Sequence, residues 1–308
     1  MKIAIIGTGS MGGLFGWKLA QAGAEVWGYD VSQPHVDQIN AVGLTLDFTD
    51  HSEVARIHAT TDPARIGEAD AVLVFVKGGA TEAAMTAARG VVGPKTLIVT
   101  MQNGIGNAER IAALFPGHVI AHGMTTLAAQ IEGPGRVRAT SDGKGEISFW
   151  PLTGDPDATA RELCRLLDGG GMQATLDPQI DLRIWRKLVV NCCCNSVCGL
   201  LDCRIAQAMA QPGIQTLFET LTAEIVAVAG AKGIALGLDE ALAYLRGVGA
   251  AAGGHFPSMV ADLRAHRRTE IDALNGAILR EAAAHGLTAP ANAAITALIR
   301  AKQEIGRG

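Results

Sequence analysis

Basic charge is not in excess in this chain: 26 lysines and arginines stand against 30 aspartates and glutamates, a formal net charge of −4 over 308 residues. Without a positive footprint, neither nucleic acid nor an anionic membrane surface is a favoured partner. Long apolar runs are missing as well. The run from Leu188 to Leu201 is broken by two asparagines and falls short of the roughly 20 residues that span a bilayer. The opening MKIAIIG meets glycines too soon for a signal-peptide core. It reads as a strand, and the cytoplasm is the expected location. No internal repeat or low-complexity tract occurs, and no disulfide framework is evident. Six cysteines are present, five of them between Cys192 and Cys203. Three successive residues on a helix point about 100° apart, so Cys192, Cys193 and Cys194 cannot converge on one ion. They are expected to pack as small buried hydrophobes, and no metal is expected.

What remains is globular. Hydrophobic content of 48% with 18% charged residues fits a folded chain with a sizeable core. A length of 308 residues favours two domains over one. The expected partner is a small molecule.

The first stretch, KIAIIGTGSMGGLFGWKLAQAGAEVWGYD, reads as strand, glycine turn, helix and strand, ending on Asp30. Gly7 permits the tight turn, Gly9 lets backbone approach a pyrophosphate, and Gly12 lets the helix pack close; the helix N-terminus then offers its free N–H groups. The acid lies 30 − 12 = 18 residues beyond the last glycine, near the spacing of about 20 that places a carboxylate on a ribose. Dinucleotide binding is the reading. DAVLVFVK (70–77) and KTLIVTMQNG (95–104) read as further buried parallel strands, each followed by a helix. Strand ends in such sheets face the ligand, which makes Lys77 and Asn103 candidate cofactor contacts; Lys77 also reads as an ordinary solvated lysine. From His118, short alternating runs split by EGPG and SDGKG signal hairpins, expected to finish the sheet with antiparallel strands. A helix at 158–167 and a strand at 172–176 close a domain over residues 1–178.

Residues 179–308 read as helical, with helices over 181–201, 214–232, 238–248, 267–284 and 291–303. The fold class is therefore α/β, a Rossmann-type dinucleotide-binding domain followed by an all-α domain. Within the first helix, WRKLVVNCCCNSVCGLL sets Lys187, Asn191 and Asn195 four residues apart in an otherwise apolar segment. That spacing stacks them on one helix face, and a helix so apolar is expected to be buried. The stripe needs a polar partner. Ser258 follows a proline at a helix start, and Glu270 heads the TEIDALNGAIL segment, where it shares a face with Leu274 and Ala277. On its own, the alternating charge of RAHRRTEID reads as a solvated surface rather than as an inward-directed carboxylate.

The glycine turn, MQNG, the K-x-x-x-N-x-x-x-N face, PSM, and RRTEIDALNG followed by HGLTAPAN together resemble the ketopantoate reductase (2-dehydropantoate 2-reductase) family, from the first strand to the last helix. The resemblance implies a 2-keto acid substrate and a nicotinamide cofactor, with the polar stripe facing a cleft between the domains. It implies Lys187 as general acid, Glu270 as the acid that positions substrate and cofactor, and Asn191, Asn195 and Ser258 as substrate contacts. Asn103 is implied to touch both ligands, and Ser10, Met11 and Ala128 join Gly7, Gly9, Gly12, Asp30 and Lys77 as cofactor contacts. One feature departs from the family's common NADPH pattern: VSQPH, directly after Asp30, holds no arginine. A carboxylate there accepts from free ribose hydroxyls and repels a 2′-phosphate, so NAD is expected over NADP. Three readings stand: ketopantoate reductase proper, an NAD-dependent D-2-hydroxy acid dehydrogenase of the D-mandelate type, and a cofactor-binding sensor without catalysis. Monomer and homodimer are both open.

Overall fold

The computed structural model describes residues 1–251 and 253–306. The chain divides into two compact units: Met1–Gln102 with Asn107–Ile180, and Asn103–Gly106 with the chain from Asp181 onward. In the first unit β1 (Lys2–Ile6) leads into α1 (Ser10–Gln21), β2 (Glu25–Tyr29) and α2 (Gln33–Val42). β3 (Leu44–Asp47) and β4 (Ser52–Ala55) form an excursion before β5 (His58–Thr60). The alternation resumes with β6 (Ala69–Val74), α3 (Thr81–Ala87), β7 (Val92–Thr100), α4 (Asn107–Leu114) and β8 (Ile120–Thr125). β9 (Ala129–Gly133), β10 (Arg136–Ala139), β11 (Ile147–Pro151), α5 (Ala158–Gly169) and β12 (Ala174–Leu176) complete the unit.

The main sheet runs β12-β11-β8-β7-β6-β1-β2-β5. From β5 to β8 every pairing is parallel; β11 lies antiparallel to β8, and β12 parallel to β11. Both faces are covered. Along β1, Ile3 and Ile5 enter one core with Leu14 and Phe15, while Ala4 and Ile6 enter another with Val72 and Ile111. A strand buried on two faces needs an unbroken apolar run rather than alternation, which is what KIAII supplies.

The hairpin at EGPG forms, as β9–β10, but it does not finish this sheet. It joins β3 and β4 in a separate four-stranded sheet, β4-β3-β10-β9, through parallel pairing of β10 with β3. The SDGKG segment is the link from β10 to β11, not a hairpin turn.

The second unit contains α6 (Ile180–Val190), a π-helical turn over Asn191–Asn195, α7 (Ser196–Leu201), α8 (Ile205–Met209), α9 (Pro212–Ala231), α10 (Leu238–Ala251), α11 (Ser258–Arg264), α12 (Asn275–Ala284) and α13 (Pro290–Ile305). No strand occurs among the described residues after Leu176. Trp185, Val189, Cys193, Phe218, Ile225 and Ile278 share its core. α9 is long and apolar enough to cross a membrane by length and composition, and its buried residues, Phe218, Leu221, Ile225 and Val228 among them, lie in that core.

The helix expected from Arg267 starts later, at Asn275. The intervening amides are engaged elsewhere: Arg267 N–H donates to the Asp262 carbonyl (2.8 Å), and Thr269 N–H to Gln303 Oε1 (2.6 Å). Glu270 therefore sits on a turn, its carbonyl accepting from Ala273 and Leu274 N–H, rather than at a helix head.

Candidate active site

In the first unit the glycine turn joins β1 to α1. Gly7 adopts φ +90° and donates to the Tyr29 carbonyl at 2.8 Å. A Cβ on Gly12 would lie 1.9 Å from the Gly7 carbonyl oxygen, so only glycine lets α1 start so close to the turn. A Cβ on Gly9 would meet nothing within 4 Å. No side chain caps the α1 N-terminus and no acid stands in its first turn. Bare backbone, open space and the positive end of a twelve-residue helix fit a pyrophosphate. Ser10 and Met11 are partly exposed in that first turn.

Thr8, fully buried at the centre of the turn, is held at both ends. Its N–H donates to Asp30 Oδ2 (2.9 Å), and its carbonyl faces His35 Nε2 (2.9 Å). Gly135 N–H donates to His35 Nδ1 at 3.0 Å, which makes Nδ1 the acceptor and Nε2 the N–H donor to Thr8. The other Asp30 oxygen accepts from Ser32 N–H at 3.0 Å. Oδ2 also accepts from the Thr8 hydroxyl at 3.3 Å, so Asp30 is a fixed, partly exposed carboxylate with a lone pair on Oδ1 still available for a ribose hydroxyl. Lys77 is exposed on the loop after β6, and Ala128 is exposed between β8 and β9, its carbonyl accepting from Thr140 N–H.

In the second unit Lys187 lies near the end of α6, and Asn191 and Asn195 bound the π-turn. From Leu188 to Gly199 every residue is buried except Asn191 and Asn195. The polar stripe is the one accessible line on an otherwise enclosed segment. Burial pulls the Lys187 ammonium down to about 8, against the charge of Glu270, which raises it. The cysteines beside it are held as thiols: burial pushes Cys193 and Cys194 up to about 12. Among the described residues no group of three or more histidines, cysteines or acids could hold a metal ion.

Asn103 and Glu270 meet in this unit, Asn103 Nδ2 donating to Glu270 Oε2 at 3.1 Å. Ile105 N–H donates to the Ala273 carbonyl (3.2 Å), and a Cβ on Gly104 would lie 1.9 Å from that oxygen. The segment Asn103–Gly106 thus docks on the turn that carries Glu270. α11 packs against α7 and the π-turn, and Ser258, its first residue after Pro257, is exposed. An ammonium of depressed pKa, a carboxylate acting on it and a carboxamide bonded to that carboxylate are groups able to orient and protonate a carbonyl oxygen; Asn191 and Asn195 lie on the same helix face as the lysine.

A family model described as Ketopantoate reductase PanE/ApbA matches residues 3–152, and one described as Ketopantoate reductase PanE/ApbA C terminal matches residues 179–303. The chain belongs to the ketopantoate reductase family. It is 30% identical to a 2-dehydropantoate 2-reductase of Streptococcus pyogenes over 306 residues, 99% of each chain. Among solved structures it is similar to a D-mandelate dehydrogenase with NADH and anilino(oxo)acetate (31% identity, TM-score 0.93, 99% of each chain). It is also similar to a ketopantoate reductase of Ralstonia eutropha (30% identity, TM-score 0.90, all of both chains).

For a ketopantoate reductase family member, a sequence reading overlooks several residues that shape these two sites. Thr8 and His35 fix the glycine turn, while Ser196 and Asn275 both donate to the Cys192 carbonyl. Asn275 lies within RRTEIDALNG, but its contact is with a residue 83 positions away, which no local pattern reveals.

Proposed function

We propose that the chain is a nicotinamide-dependent 2-keto acid reductase in which Lys187 donates the proton to the keto oxygen. The observation that carries this is the lysine itself: half-buried, depressed to about 8 by desolvation with Glu270 acting on it, and in line with Asn191 and Asn195, the accessible carboxamides of an apolar segment. The nicotinamide, when bound, supplies a hydride to the keto carbon. As that carbon becomes tetrahedral its oxygen gains negative charge, which Lys187 neutralises by giving up a proton, leaving a 2-hydroxy acid and a neutral amine. A cation aimed at charge that exists only in the transition state lowers the barrier without tightening ground-state binding. Asn191, Asn195 and Ser258 orient the polar ends of the substrate, and Asn103 and Glu270 position it against the cofactor. Residues 1–178 hold the dinucleotide and the helical domain from 179 holds the substrate.

NADH is the cofactor this reading favours. The Asp30 carboxylate is held by two backbone N–H groups, and no arginine follows it through His35. The same feature, with the similarity to a D-mandelate dehydrogenase solved with NADH, supports a second reading, an NAD-dependent D-2-hydroxy acid dehydrogenase. The test is turnover of ketopantoate, phenylglyoxylate and 2-ketoisovalerate with NADH and with NADPH. Higher efficiency with NADH on one of the three is expected, and the preferred acid separates the two readings. No turnover of any would overturn both and leave a cofactor-binding sensor.

A further inference from the structure

The π-turn over Asn191–Asn195 interrupts the helix in the middle of the polar stripe. A continuous α-helix turns 100° per residue, so side chains four apart drift by about 40° at each step; a π-turn, with its i→i+5 bonding, advances less per residue and takes that drift back. Asn195 is thereby returned toward the line of Lys187 and Asn191. Such a turn displaces a carbonyl from the regular ladder and needs donors from outside it. The Cys192 carbonyl receives two: the Ser196 hydroxyl and, at 3.1 Å, Asn275 Nδ2.

Asn275 is completely buried and opens α12, five residues after Glu270. Its amino group also donates to Asn292 Oδ1 at 2.9 Å. Asn292 in turn donates from both N–H and Nδ2 to Glu224 Oε2 on α9 (2.9 and 2.7 Å). Inverting the Asn275 amide would set its oxygen against the Cys192 carbonyl, so the donor orientation is fixed. A buried polar network of this kind specifies one arrangement of the elements it joins.

We infer that Asn275 is a positioning residue for the reductase site: by capping the Cys192 carbonyl it holds the π-turn open and ties the Glu270 turn to the helix that carries Lys187, Asn191 and Asn195. This rests on the function proposed above. Without the cap the segment relaxes toward a regular helix, Asn195 rotates away from the lysine, and the acid and ammonium lose their fixed relation. Asn275 itself touches no substrate.

The test compares Asn275→Ala and Ser196→Ala with the wild type, on whichever 2-keto acid the wild type reduces. Asn275→Ala is expected to lower kcat by about tenfold to a hundredfold, as small misplacements of reacting groups do, while the KM for NADH stays within about twofold because the glycine turn is untouched. Ser196→Ala, which removes the other donor on the same carbonyl, is expected to lower kcat in the same sense, with effects that do not add in the double variant. A purely structural network predicts a lower melting temperature with kcat preserved in the folded fraction, and that result overturns the inference. If Asn275→Ala does not fold, wild-type kcat in Ser196→Ala overturns it equally. Should the wild type reduce no 2-keto acid, the proposed function fails on its own. Hydrogen exchange of the amides over 192–197 then decides the positioning: faster exchange in either variant, with α9 unchanged, supports it, and wild-type rates refute it.

Discussion

Removing the carboxylate beside Lys187 should move the pH at which reduction fails. Burial sets the lysine at about 8, with Glu270 as the one influence that raises it. Only the protonated form can act as general acid, so about nine-tenths of the enzyme is competent at pH 7 and about a tenth at pH 9. Single-turnover reduction, followed by nicotinamide absorbance, should therefore fall on an alkaline limb centred near 8, and oxidation of the 2-hydroxy acid should rise through the same limb because it needs the neutral amine. In Glu270→Gln the desolvation of the ammonium remains and the opposing charge is gone. The reductive limb should shift to lower pH, while the side-chain amide can still meet Asn103 and limit disturbance of the turn. A limb in the wild type above about 9.5, or one that stays put or moves upward in Glu270→Gln, would refute the assignment of the limb to this lysine.

Lys187→Ala should reduce turnover by several orders of magnitude, since protonation and charge stabilisation are each worth on the order of 10²-fold or more, and should leave NADH affinity near normal; a folded variant above about a tenth of the wild-type rate removes the lysine from the mechanism, leaving it about 1.4 kcal/mol to explain. Asp30→Ala should narrow the preference for NADH over NADPH, read as the ratio of kcat/KM values, and should also weaken NADH binding because Thr8 N–H loses its acceptor; a wider gap would contradict the repulsion argument. Chelator should leave activity intact, and metal analysis should find no stoichiometric zinc or iron, because Cys192, Cys193 and Cys194 are buried thiols held protonated by their apolar surroundings; inhibition by chelator would count against that.

The parallel sheet was legible because its strands are short apolar runs bounded by glycines and acids, as KIAIIG and EVWGYD illustrate, and two-sided burial demands such runs. The polar stripe was legible for a related reason: three polar residues at helical spacing in an apolar segment stand out, and the accessible positions coincide with them. The π-turn between them was not. One wider turn changes the angle between residues without changing their types, and hydrophobic periodicity is too coarse to register it. The destination of the β9–β10 hairpin was hidden because its sheet partner β3 lies at Leu44–Asp47, far back in the chain. Local turn chemistry announces a hairpin but not what it pairs with. The start of α12 was misplaced because the charge pattern of RRTEID suits a helix, whereas its amides bond to Asp262 and Gln303, a tertiary choice that overrides propensity.

Asn103–Gly106 belongs with the helical unit although the chain on either side of it belongs to the other. During synthesis this segment leaves the ribosome long before the turn at Ala273 that accepts from Ile105 N–H, so its own packing partner is missing until the rest of the chain arrives. The backbone crosses between the units at 102/103, 106/107 and 180/181. A protease cut near residue 180 would therefore leave two fragments still interlocked through the Gly104–Ala273 contact. The helical half produced alone, from residue 181 onward, would lack the strip that covers Ala273 and reaches Glu270. Supplied as a separate peptide or restored by circular permutation, that strip is the piece by which the two halves would reassemble.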